Sequence, residues 1–169
     1  MENIYLVGFM GTGKTSVGAL LAKSKKWHFV DIDQLISLRE QRRIVDIFAK
    51  EGEAYFRKLE KKTLKEIAAQ KHFVVSCGGG IVIDKNNVKL MKETGRLICL
   101  SASAREILRR VSGDSSRPLL IGKDPLKRIE LLLKMRAPYY LRADNCIDTT
   151  GLSIKQVVSK ASRLLLRKK

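Results

Sequence analysis

The segment Gly8-Phe9-Met10-Gly11-Thr12-Gly13-Lys14-Thr15 fits the spacing G-x-x-x-x-G-K-[ST]. A short apolar run, Ile4-Tyr5-Leu6-Val7, precedes it, and an amphipathic stretch over 14–25 follows, with Val17, Leu20 and Leu21 on one face. Strand, glycine-rich turn and helix in that order are the context in which this spacing carries chemistry. Glycines let the backbone curl into a nest of inward-pointing N–H groups. The helix behind them turns the positive end of its dipole toward the same point. Phosphate oxygens suit such a nest, with the Lys14 ammonium reaching the β and γ phosphates and the Thr15 hydroxyl available to Mg²⁺. A nucleoside triphosphate site is therefore the strongest inference from the residues. Motors, switches and small kinases all use it, so the motif alone names no function.

Outward from the loop, short apolar strands alternate with amphipathic helices. His28-Phe29-Val30 reads as a second strand ending in Asp31-Ile32-Asp33, and 34–70 as helical, broken near Gly52. His72 to Ser76 reads as a third strand, halted by Gly78-Gly79-Gly80. Residues 84–94 suggest a helix and Arg96 to Leu100 a fourth strand. Ser103 with Glu106, and Ser153 with Gln156, have the capping-box spacing for two further helices. The segment 112–124 is rich in Ser, Gly, Asp and Pro and predicts a loop. A helix from Pro125 to about Arg142, bent at Pro138, precedes a fifth strand at Asn145 to Asp148. This alternation predicts a parallel α/β sheet with helices on both faces.

With 169 residues the chain suits one domain. Its 34 Lys+Arg against 17 Asp+Glu give a net charge of +17, which favours anionic partners without choosing among nucleic acid, membrane and phosphorylated small molecules. Cys77, Cys99 and Cys146 form no CxxC pair, so no disulfide framework or zinc site is expected. The first residues lack the basic and apolar regions of a signal peptide, and no run approaches ~18 apolar residues, so a cytoplasmic protein without a membrane span is expected. Neither Asn-Lys-x-Asp nor Thr-Lys-x-Asp occurs, so the usual guanine-reading element is missing.

A second set of residues is scattered along the chain. Asp31 and Asp33 share one side of strand two if the strand runs on through them, and ligands in such sheets bind beyond the strands' carboxyl ends. One carboxylate would hold Mg²⁺ through water and the other would take an acceptor hydroxyl, although either also suits a helix cap. Gly78-Gly79-Gly80 permits close approach of a ligand to backbone, or is a plain turn. Arg57, Arg117 and Arg136 each suit a bidentate grip on carboxylate or phosphate, and each alone would more often be solvated.

Taken in order, the phosphate loop, Asp31-x-Asp33, Phe56-Arg57-x-x-Glu60, Gly78-Gly79-Gly80, Arg117-Pro118-Leu119-Leu120 and Arg136-x-x-x-Tyr140 resemble the shikimate kinases over nearly the whole chain. The resemblance implies a three-layer P-loop fold like that of nucleoside monophosphate kinases, with a five-stranded parallel sheet. It implies a single domain over 1–169, with a substrate-binding helical insertion at about 33–61 and a mobile lid at about 112–124. It further implies transfer of the γ-phosphoryl of ATP to the 3-hydroxyl of shikimate, with Mg²⁺, in aromatic amino acid biosynthesis. Gly11, Thr12, Gly13, Lys14, Thr15 and Ser16 would wrap the ATP phosphates, with Lys14 on the transferring group. Thr15 and Asp31 would hold Mg²⁺, and Asp33 would take the acceptor hydroxyl as candidate base. Arg57 and Arg136 would clamp the shikimate carboxylate beside Gly78, Gly79 and Gly80. Arg117 would reach the phosphates from the lid, and Arg110 would lie against adenine. A monomer binding neither nucleic acid nor membrane is expected. The turn Thr149-Thr150-Gly151-Leu152 lacks the arginine that many relatives place there, which leaves nucleotide contacts in that region open.

Two other readings compete. A gluconate or nucleotide kinase of the same fold would share the phosphate loop but not the set of Arg57, Arg136 and triple glycine. An ATP-switched nucleic-acid binder would account for the charge, since 155–169 carries six basic residues and no acidic ones. Those charges follow an amphipathic helix, which a solvated helix face explains as well.

Overall fold

The computed structural model is described over residues 3–112 and 124–166. Five parallel strands form one sheet in the order β2-β3-β1-β4-β5: β1 (Asn3–Val7), β2 (His28–Asp31), β3 (Phe73–Ser76), β4 (Gly95–Ser101) and β5 (Asn145–Asp148). The helices are α1 (Lys14–Lys25), α2 (Ile32–Glu40), α3 (Ile44–Ala68), α4 (Lys85–Thr94), α5 (Ala104–Val111), α6 (Pro125–Tyr140) and α7 (Ile154–Leu166). Strand β1 is central and buried along its whole length, because both faces are covered. Its residues alternate between two cores. Tyr5 and Val7 join Val75, Leu97 and Cys99 beneath α2 to α6, while Ile4 and Leu6 join Val74, Ile98 and Leu100 beneath α1 and α7. This is the three-layer arrangement that the alternation predicts.

The chain passes from β1 to one side of the sheet and later to β4 on the other, so a crevice opens at the carboxyl end of β1. The phosphate loop occupies it. Acceptor side chains and one reciprocal pair set several of the helix starts. Asp84 caps α4 by accepting from Asn86 N, Ser103 caps α5 by accepting from Glu106 N, and Asp124 caps α6 by accepting from Lys127 N. At α7, Ser153 and Gln156 satisfy each other's backbone N–H groups. At α5 only half the box forms, because Glu106 turns instead to Arg109 and Arg110.

Two boundaries differ from the sequence reading. Strand β2 does not continue through Asp33: Asp31 accepts from Gln34 N and caps α2, which begins at Ile32. Asp33 is thus in the first turn of a helix, and its side is set by helical geometry rather than strand alternation. The expected helix over 34–70 is broken at 41–43 as well as at Gly52 (φ 81°, ψ 172°). Gln41 is left-handed (φ 52°) and returns its N–H to Leu38 O, while Arg42 N bonds Ser37 O. This closing turn uses no glycine, so the sequence carries no mark of it. Among the described residues no helix is long and apolar enough to cross a membrane.

Candidate active site

The crevice is a cleft of about 650 Å³. Its floor is the phosphate loop. Gly13, at φ 94°, is left-handed, which a glycine adopts without the penalty that a side chain would bring. That turn brings Lys14 to the first position of α1, and Lys14 Nζ donates to Gly8 O at 2.9 Å and Phe9 O at 3.0 Å. The ammonium thus lies folded over the loop that would surround phosphate. Gly11, Ser16 and Thr15 line the same space. Thr15 Oγ1 donates to Asp31 Oδ2 at 2.8 Å, so hydroxyl and carboxylate meet at the mouth of the loop. Thr12 does not line the cleft. It is buried and its hydroxyl donates to Phe9 O at 2.7 Å, which fixes the loop's shape.

Opposite the loop, three helices, α2, α3 and α6, converge on Gly78-Gly79-Gly80. A Cβ on Gly78 would lie 2.7 Å from Glu60 Oε1 and 2.9 Å from Asp33 Oδ1. One on Gly79 would lie 3.2 Å from Arg136 Nη1 and 3.3 Å from the Tyr140 hydroxyl, and one on Gly80 would lie 2.7 Å from Arg57 Cζ. Each glycine therefore leaves room for a different charged or polar group. Arg57 is held on α3 by Glu60, at 2.7 Å, and by Glu53, at 3.0 Å. Arg136 stands on α6 with its guanidinium carbon 5.7 Å from the Phe9 ring centre. One helical turn later, Tyr140 donates to Gly79 O at 2.9 Å and ties α6 to the glycine segment. Ile44, Val45, Phe48 and Phe56 supply an apolar wall.

The carboxylates at this end are unusual. Asp33 Oδ1 and Glu60 Oε1 are buried without a hydrogen-bond partner. Burial and the nearby Asp31 push the Asp33 carboxyl up, against the opposing pull of Lys14 and Arg57. Burial pushes Glu60 up to about 7, although Arg57 opposes it. Burial likewise raises the Tyr140 phenol to about 12. Unpartnered buried acceptors are costly unless a ligand completes them.

Arg110 also lines the cleft, yet its fork is occupied. It bonds Glu106 Oε1 (2.8 Å), Gly11 O (3.2 Å), Thr149 Oγ1 (2.9 Å) and Thr149 O (2.8 Å), which locks the turn after β5 to the phosphate loop. Thus Gly11, Gly13, Lys14, Thr15, Ser16, Asp31, Asp33, Arg57, Gly78, Gly79, Gly80, Arg110 and Arg136 meet in one cleft. Arg117 and nearly all of the expected lid lie outside the described residues. Glu60 and Tyr140 belong to the quoted motifs but draw no role from sequence. Their signal is spacing, three residues after Arg57 and four after Arg136, which places each beside its arginine on a helix.

Comparison with known proteins agrees with this geometry. The family profile described as shikimate kinase matches residues 10–165. The chain is 45% identical over 160 residues to a shikimate kinase of Thermodesulfovibrio yellowstonii, covering 95% of this chain and 92% of that protein. It is 46% identical over 160 residues to one from Persephonella marina, covering 95% and 96%. The structure of an Acinetobacter baumannii shikimate kinase in complex with shikimate superposes with a TM-score of 0.92 at 36% identity, covering 98% of this chain and 93% of that one. The chain belongs to the shikimate kinase family.

Proposed function

We infer that the protein transfers the γ-phosphoryl group of ATP to the 3-hydroxyl of shikimate, giving shikimate 3-phosphate and ADP in aromatic amino acid biosynthesis. One observation carries the choice of acceptor. Across the cleft from the phosphate loop, two guanidiniums flank two unpartnered buried carboxylate oxygens around three glycines. Guanidiniums suit a carboxylate, and buried acceptors suit hydroxyls. A small polyhydroxylated carboxylic acid has both.

In this reading the loop backbone from Gly11 to Ser16 and the Lys14 ammonium hold the nucleotide phosphates. Lys14 leaves its carbonyl partners to follow the charge that develops on the equatorial oxygens. Asp33 accepts the hydrogen bond of the 3-hydroxyl and orients it toward the γ-phosphorus. Its raised affinity for a proton suits it to receive one as the new P–O bond forms. Arg57 and Arg136 hold the shikimate carboxylate, with Gly79 kept in place by Tyr140. Thr15 and Asp31 are the residues that fit Mg²⁺: both offer hard oxygen, and their 2.8 Å contact is a ready outer shell. Bound there with the phosphates, the ion would neutralise charge between the β and γ groups. Arg110 holds the nucleotide end of the cleft through Thr149. From sequence, Arg117 is the further phosphate cation.

The remaining assignments share this basis. The enzyme is a single kinase domain over 1–169, with its acceptor-binding insertion at about 33–61 and its lid at about 112–124. In this reading it works as a cytoplasmic monomer without nucleic acid or membrane; one chain supplies both ends of the cleft, so the site needs no second copy. A coupled ADP-release assay with Mg²⁺ and ATP tests the reading. Shikimate should drive turnover, and quinate, gluconate and AMP should drive little. A preference for AMP or gluconate would overturn it.

A further inference from the structure

Strands β4 and β5 set Cys99 and Cys146 opposite each other in the parallel ladder. Residues paired in register point to the same face of a sheet. Cys99 is buried there among Tyr5, Val7 and Leu97, while Cys146 is exposed on the sheet's edge strand. The register sets the two side chains side by side, so each thiol perturbs the other's proton affinity. Cys146 Sγ also donates to Ser101 Oγ at 3.6 Å. The phosphoryl-transfer reaction uses neither sulfur.

We propose that Cys99 and Cys146 form a reversible oxidation site that takes hydrogen peroxide, with Cys146 as the attacking thiol and Cys99 as the resolving one. The pair is asymmetric in the way that this chemistry requires. The adjacent Cys99 thiol, helped by Ser101, holds the Cys146 thiol below its ordinary range, against partial burial and the charge of Asp148. The neighbouring Cys146 and burial push Cys99 up. The accessible sulfur is therefore the one richer in thiolate, the form that reacts.

Cys146, having lost its proton to solvent, attacks one peroxide oxygen. The O–O bond breaks, and the departing hydroxide recovers that proton as water. Cys99 sulfur then attacks the sulfenic sulfur of Cys146. The S–O bond breaks, and this hydroxide leaves with the Cys99 proton as a second water. Peroxide gains two electrons and two thiols become a disulfide. Neighbouring strands lie ~4.8 Å apart and disulfide Cβ atoms about 3.8 Å, so β5 must close by roughly 1 Å. It is four residues long and bonded on one side only, so it can yield. Cys99 also pairs with Val7, the residue before Gly8, so the bridge would link the edge strand to the strand that carries the phosphate loop. Cys77 serves as an internal control: it is buried, and burial pushes its thiol well up.

Peroxide treatment followed by alkylation and peptide mass analysis tests this. The wild type should lose two hydrogen atoms and yield a linked Cys99–Cys146 peptide that dithiothreitol separates, with Cys77 unchanged. Cys146→Ser should leave Cys99 unoxidised. Cys99→Ser should leave Cys146 as a sulfenic acid that dimedone traps. Wild-type Cys146 passing to sulfinic acid with Cys99 unlinked would overturn the proposal. So would oxidation of Cys99 in Cys146→Ser at the wild-type rate.

Discussion

The two ends of the cleft are built on opposite principles. The phosphate end is eight consecutive residues whose functional groups are largely backbone N–H groups and one helix end. The acceptor end is assembled from α2, α3, the triple glycine and α6, and its groups are side chains separated by up to 103 positions between Asp33 and Arg136. A contiguous backbone site is rigid as soon as its strand and helix pack. A dispersed side-chain site needs residues that position others: Glu60 and Glu53 hold Arg57, and Tyr140 holds Gly79. Damage at the first end should therefore fall on turnover, and damage at the second on acceptor affinity.

The largest effect that would break this division is at Lys14. Lys14→Ala should lower kcat by on the order of a hundred- to a thousandfold or more in steady-state assays, with the fold intact by circular dichroism. Retention of most of the wild-type kcat would remove the phosphate loop from the chemistry.

At the acceptor end, Gly79→Ala puts a methyl 3.2 Å from Arg136 and 3.3 Å from the Tyr140 hydroxyl. Both side chains must give way, so the KM for shikimate should rise about tenfold while the KM for ATP holds within about twofold.

The Glu60 carboxyl sharpens the comparison through stability. Its folded pKa, about 7, is above its unfolded value, so the folded state binds the proton more tightly. Its stabilising contribution is complete below the unfolded pKa and is lost as pH rises through about 7. On the order of 3 kcal/mol is at stake, or several degrees in Tm. Melting curves between pH 5 and 8 should fall more steeply for wild type than for Glu60→Gln, and parallel curves would place the titration elsewhere.

The smallest effect concerns Glu53, whose exposed carboxylate occupies the fork of Arg57 that the substrate carboxylate would need. An exposed helical pair is worth about 0.3–0.5 kcal/mol, so Glu53→Gln should lower the KM for shikimate by roughly twofold. A rise in KM would show that Glu53 aids the clamp instead of competing with it.

How much of this was legible in the sequence follows the same division. The phosphate loop could be read except for Thr12, whose hydroxyl is buried on Phe9 O, because glycine spacing between strand and helix is a local code. The five strands could be read from apolar runs, since a sheet covered on both faces needs them. The turn at 41–43 could not, because Gln41 takes a left-handed backbone without glycine. Asp31 and Asp33 were legible as a pair, but the geometry that joins them was not: a cap and a first helical turn replace the expected strand alternation. Arg57 and Arg136 gained meaning only as members of an ordered set, since nothing in either helix marks its arginine as one that faces the cleft. The unpartnered oxygens of Asp33 and Glu60 depend on what packs around them, which no local pattern records.

The central claim is that one cleft holds two separable sites, acceptor on one side and nucleotide on the other. Calorimetric titration of Arg136→Ala with shikimate and with ADP tests it most directly. Loss of a guanidinium–carboxylate pair should weaken shikimate by about ten- to a thousandfold, with partial recovery in Arg136→Lys, and ADP should bind within about twofold of wild type. Unchanged shikimate affinity with weakened ADP would contradict the account, because Arg136 would then belong to the nucleotide.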